Sequence, residues 1–121
     1  MKEQALTYVR LALSRSSTLK NVKFSPDADG LRELLKVCIS AYNTAPNSEE
    51  AFSAHEAKGL VDYAICALES DSEEEKALIR NRMKIGLIGV VQDCIRSLEN
   101  KDPKRNAQRI SEEKELLGFL Q

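Results

Sequence analysis

The stretch from Met83 to Leu98, MKIGLIGVVQDCIRSL, constrains the fold more than any other part of this chain. Leu87, Val90 or Val91, Cys94 and Leu98 recur at three- and four-residue steps, the spacing of one helix face. A second row, Lys84, Ile88, Val91, Ile95 and Leu98, runs beside it. What remains is a narrow polar stripe of Arg82, Gly86, Gly89, Asp93, Arg96 and Asn100. A helix apolar over most of its circumference belongs at the centre of a bundle, surrounded by other helices. The run is too short and too charged at its edges to span a bilayer. Gly86 and Gly89 lie about one turn apart, and each costs about 1 kcal/mol against Ala inside a helix. They mark either the close approach of a neighbouring backbone or a tolerated weak spot.

A central helix needs partners, and the composition supplies them. Charged residues make up 31% of the 121-residue chain and aromatics 5%, and Gly and Pro are few. Leu, Ala, Glu, Lys and Arg dominate, which favours helix. No strand-like alternation with hairpin turns occurs. The length suits one domain over residues 1–121, with a core that needs no covalent staples. The expected fold is therefore all-α, a compact bundle of four to five helices around a central buried one.

The other helices can be placed in turn. Residues 2 to about 15 form the first, with Ala5, Leu6, Val9, Ala12 and Leu13 inward and Tyr8 and Leu11 widening that face. A polar, basic connection from Thr18 to Phe24 follows, anchored by Leu19, Val22 and Phe24. Ser25-Pro26-Asp27 starts the second helix, with Ser as cap, Pro at the first helical position and Asp at the positive end of the dipole. That helix buries Leu31, Leu34, Leu35, Cys38 and Tyr42 and stops before Pro46. Asn47 and Glu50 form a capping box, with Glu50 reaching back. The third helix then runs to about Glu69 on Phe52, Leu60, Val61, Ala64, Ile65, Ala67 and Leu68, with Gly59 as a candidate bend. Ser72 and Glu75 form a second capping box opening the Glu73–Glu99 helix. Asp102 and Pro103 break the pattern and start a helical tail. Its end, Leu116, Leu117, Phe119 and Leu120, is apolar and must dock, most simply on its own bundle.

Three cysteines, Cys38, Cys66 and Cys94, sit among apolar neighbours in these patterns. Their odd number, the lack of a close pair and the lack of a leader-like start point to a reducing, cytoplasmic setting. Their equal spacing comes with flanks that agree poorly, so it does not mark a repeat, and a three-cysteine metal site is not expected. His55 is the only histidine and reads as a surface or half-buried residue. There is no Gly-rich phosphate loop, no nucleophile elbow, no calcium loop and no Glu-x-x-His pair. The glutamate pairs at helix starts are explained by capping. The expectation is a protein that is not an enzyme and takes no cofactor and no metal.

Charge is the feature left over. The net charge is −1, but it is segregated. Residues 1–25 hold five basic and one acidic residue, residues 26–75 three and twelve, residues 76–109 nine and three, and residues 110–121 one and three. Such asymmetry polarises a surface unless acidic and basic helices neutralise one another. The basic clusters are Arg80, Arg82 and Lys84, then Lys101, Lys104, Arg105 and Arg109. Phosphate contact needs only Lys and Arg, whereas base reading needs aromatic platforms, and Phe24 is the only aromatic near a basic run. These seven residues are thus candidates for backbone-directed, weakly specific nucleic-acid binding.

A small all-helical chain with such clusters and no catalytic motif resembles, in size and class, the small subunits of CRISPR effector complexes. The resemblance covers most of the chain and rests on no sharp motif. It implies a non-catalytic subunit that lines the nucleic-acid path of a larger assembly in antiviral defence, with RNA and protein partners and no membrane. The competing expectation is a helical adaptor or immunity-type protein that binds a protein partner through the acidic 27–75 surface.

Overall fold

Among the described residues the computed structural model has five α-helices: α1 (Lys2–Ser14), α2 (Ala28–Asn43), α3 (Ser48–Glu69), α4 (Glu74–Lys101) and α5 (Ala107–Leu120). It describes the backbone of residues 2–69 and 74–121 and the side chains of residues 3–68 and 81–121. No strand occurs among the described residues, and among them no helix is long and apolar enough to cross a membrane. Ser72, Glu73 and the capping role assigned to Glu75 lie outside the described residues. The chain divides into two compact units, one up to Met83 and one from Lys84.

In the first unit α1 and α2 both pack on α3. Within this unit α3 is the helix that both others cover. Ser53, Ala54, Ala57, Leu60, Val61, Tyr63, Ala64 and Ile65 are buried on it. Several of these are small, and small side chains let two neighbouring helices approach one backbone at once. Reading the sequence for large apolar residues undervalues such a helix. Along α4 the predicted rows are buried at Leu87, Val91, Cys94, Ile95 and Leu98, whereas Ile85 is 69% exposed and Ile88 and Val90 are half-buried. Gly86 and Gly89 have no atom within 4 Å of where a Cβ would stand. No neighbouring backbone among the described residues explains them.

The first helix follows expectation, with Ala5, Val9, Ala12 and Leu13 buried. The connection after it is wound rather than extended. Lys20 N–H donates to the Ser16 carbonyl at 2.9 Å and Val22 N–H to the Leu19 carbonyl at 3.0 Å. This winding drives Leu19 into the core, fully buried, while Val22 and Phe24 are half-buried. The Arg10 guanidinium lies 5.6 Å from the Phe24 ring centroid, within cation–π reach.

The second helix starts two residues later than the Ser25 cap predicts. Its N-cap is Asp27, whose side chain accepts the Gly30 N–H at 2.7 Å. Gly30 is required at this turn: a Cβ there would stand 2.1 Å from the Ser25 carbonyl oxygen. Leu31, Leu34, Cys38 and Ala41 are buried on α2, while Tyr42 is 45% exposed. Tyr42 therefore leaves the predicted inner stripe and lies 5.6 Å, centroid to centroid, from His55, which is exposed as expected.

Asn47 caps α3 as predicted, its Oδ1 accepting the Glu50 N–H at 2.9 Å. Glu50 does not close the box by reaching back. Its carboxylate instead holds the α1–α2 connection: Ser17 Oγ donates to Oε1 at 2.7 Å, Ser17 N–H to Oε1 at 3.3 Å and Ser16 Oγ to Oε2 at 3.2 Å.

In the second unit the remainder of α4 meets α5 through a turn at residues 103–106. Asp102 caps this turn, accepting the Arg105 N–H at 3.1 Å, but α5 itself begins only after Asn106. The Asn106 amide donates to the Leu98 carbonyl at 3.4 Å. The apolar tail is covered within the chain, with Leu116 and Leu120 buried.

Candidate nucleic-acid interface

The α4–α5 turn is where the predicted basic residues gather. Lys101, Lys104 and Arg105 are exposed there within five residues. None of the three makes an ion pair among the described residues. Lys101 occupies the last turn of α4, where the helix dipole presents partial negative charge and favours a cation. Asp102 lies among them, and its carboxylate is engaged by the Arg105 backbone. The turn thus carries three cations against one anion. The shallow groove beside it is lined by Glu99, Pro103, Ala107, Ile110, Lys114 and Glu115, among others. Lys114 lies 3.9 Å from Glu99. With two glutamates against one lysine on its wall, that groove adds no net positive charge to the turn.

Arg109 does not belong to this surface, contrary to expectation. It is half-buried, its Nη2 reaches Cys94 Sγ at 3.9 Å, and its Nε is buried with no hydrogen-bond partner among the described residues. Placed one turn into α5, the side chain falls against α4 instead of solvent. Arg82 is exposed and Lys84 half-buried, and the Arg80 side chain lies outside the described residues. Lys84 and Lys101 are seventeen positions apart on α4, about 25 Å along its axis. The second unit therefore does not join them into one cluster.

The acidic 27–75 segment is partly neutralised where it lies on α2. Arg32 pairs with Asp29 at 3.1 Å and Lys36 with Glu33 at 3.1 Å. Glu56, which the sequence groups with the surface acids, is buried at 1% exposure and meets Arg15 Nη1 at 3.2 Å. Nothing in its SAHEAK context distinguishes it from a solvated glutamate; only the helical register of α3, four residues before Leu60, carries that signal. α2 also leaves apolar side chains open, with Val37, Ile39 and Tyr42 each more than a third exposed.

Two of the three cysteines are buried. Burial, with the Asp62 charge nearby, pushes the Cys38 thiol up to about 11, and Cys94 is buried. Cys66 is half-buried, its thiol 3.3 Å from the Met83 sulfur. No family model, no curated protein and no solved structure matches the chain.

Proposed function

We propose that this chain is a non-catalytic, cytoplasmic helical subunit of a larger assembly, and that it contacts a nucleic-acid backbone through the turn joining α4 and α5. The observation that carries this reading is the grouping of Lys101, Lys104 and Arg105, exposed and free of ion pairs among the described residues. Cations with no internal partner are available to phosphate oxygens, and they release counterions on doing so. The likeness in size and class to CRISPR small subunits fits the same role, with RNA as the partner and antiviral defence as the setting. With no aromatic residue in the turn, binding is expected to follow the backbone and not the base sequence.

The test is fluorescence anisotropy with two unrelated single strands at two salt concentrations, on the isolated chain and on any complex that contains it. Three phosphate contacts predict a log–log salt slope of about −2. Lys104→Glu with Arg105→Glu is expected to weaken both strands by similar factors and to flatten that slope. Absence of binding in either form, or binding indifferent to the double substitution, removes the site.

A second reading has its own support. The exposed Val37, Ile39 and Tyr42 on α2, flanked by the Asp29–Arg32 and Glu33–Lys36 pairs, suit an adaptor that takes a protein partner on that helix. The ultraviolet absorbance ratio of the purified protein separates the two: nucleic acid that co-purifies favours the turn, and a stoichiometric protein partner favours α2.

A further inference from the structure

We propose that two copies of this chain associate through antiparallel α4 helices, with Arg82 of each copy facing Asp93 of the other. The starting observation is an unpartnered helix face. Ile85 is 69% exposed, the most open large apolar residue among the described residues, and Arg82, Gly86, Asp93 and Arg96 are exposed along the same side. At about 100° per residue, Arg82, Gly86, Gly89 and Asp93 fall within one narrow stripe, with Ile85 and Arg96 on its edge.

The order of residues on that stripe says what covers it. Arg82 and Asp93 are placed symmetrically about the midpoint between Leu87 and Ile88, and so are Gly86 and Gly89. An antiparallel second copy, turned about an axis through that midpoint, brings opposite charges together at both ends. It also lays Ile85 of one copy against Gly89 of the other. A parallel copy would instead set Arg82 against Arg82 and Asp93 against Asp93. Charge complementarity thus selects both the occupant and its direction. Asp93 already holds Arg96 of its own chain, and a carboxylate has lone pairs for two guanidinium groups. The open space over both glycines leaves room for a neighbouring helix backbone at the near end of the usual 8–10 Å interaxial range.

One helix face makes a small interface, at the low end for stable association, so the pair is expected to dissociate on dilution. The experiment is light scattering behind size exclusion on the full chain over a range of concentrations. The expected mass rises from 13.5 kDa towards twice that value as concentration increases. Asp93→Arg and, separately, Ile85→Glu should hold the chain at the monomer mass. Combining Arg82→Asp with Asp93→Arg should restore the dimer, which neither a loss of fold nor a change in net charge would do. Circular dichroism checks that each variant keeps its helical signal, and Ile85→Glu, changing a side chain already in solvent, secures the test if a charge reversal does not fold. A wild-type chain that stays monomeric at the highest concentration overturns the proposal. So does a dimer whose mass is indifferent to Asp93→Arg or Ile85→Glu, or a double reversal that fails to restore it.

Discussion

Ser17 gives Glu50 both its hydroxyl, at 2.7 Å, and its backbone N–H, at 3.3 Å. With Ser16 Oγ on the other oxygen, one carboxylate ties the connection after α1 to the first turn of α3. These hydrogen bonds, the Ser17 hydroxyl first, hold the Glu50 carboxyl below its ordinary value of 4.5, with Lys20 nearby adding to the effect. A carboxylate whose folded pKa is depressed stabilises the fold above its unfolded pKa. That contribution is complete at neutral pH and is lost as pH falls below about 4.5 and through the lowered value. Urea unfolding of Glu50→Gln is expected to show a loss of about 1 kcal/mol at pH 7, typical of a partly exposed hydrogen-bonded group. The difference from wild type should shrink in acid, and a difference that stays constant with pH would rule the carboxylate out.

Gly30 and Gly118 make a second, paired prediction. A methyl group at Gly30 would collide with the Ser25 carbonyl, which is backbone and cannot swing aside, whereas Gly118 faces open space. Gly30→Ala should therefore cost roughly 1–3 kcal/mol through forced rearrangement of the α2 start. Gly118→Ala should be neutral or stabilising by up to about 1 kcal/mol. Thermal unfolding of the two variants, compared with wild type, reads opposite signs if the geometry is right.

The core of the first unit is centred on α3. Leu60→Ala removes a fully buried side chain and is expected to cost roughly 2–5 kcal/mol. Ile88→Ala, on a half-buried residue, should cost clearly less. Equal losses in urea denaturation would contradict the half-buried place of Ile88.

The helices show where sequence pattern carries information. Helix number, type and approximate limits follow from periodicity and breakers, and four of the first helix's five predicted inward residues are buried. Asn47 as a cap was equally readable. The register of burial was not: Ser53, Ala54 and Ala57 are buried because α1 and α2 come close, and closeness is a tertiary fact. Glu50 was recognised as important through the capping pattern, but its partners lie more than thirty residues away, where local pattern has no reach. Arg109 shares a charge and a neighbourhood with Lys104 and Arg105. Only the delayed start of α5 at Ala107 turns it towards Cys94 and out of the cationic turn.

The thiols should react in an order set by burial. Cys66 is half-buried, while Cys38 and Cys94 are buried, and the Cys38 thiol is further suppressed by a pKa near 11. Thiolate is the reactive form, so Cys66 is expected to label first with a maleimide at neutral pH and Cys38 very slowly until the chain is denatured. Mass spectrometry of digests taken along the time course gives the order. Cys38 labelling ahead of Cys66 would contradict the packing of α2 on α3.

The Arg15–Glu56 pair bears on stability through burial and not through attraction alone. Glu56 is 1% exposed and Arg15 12%, so both ions have given up most of their water. Their mutual attraction roughly offsets that loss, and the pair adds little net stability. Removing one partner is different, because the other charge stays buried without compensation. Arg15→Ala is therefore expected to cost about 3 kcal/mol or more, well beyond the 0.5 kcal/mol typical of a surface substitution. Replacing both residues with Met should cost much less than the single change, since no charge is then stranded. Urea denaturation of the single and double variants closes the cycle. An Arg15→Ala loss no larger than the double replacement's would mean that Glu56 finds its compensation elsewhere.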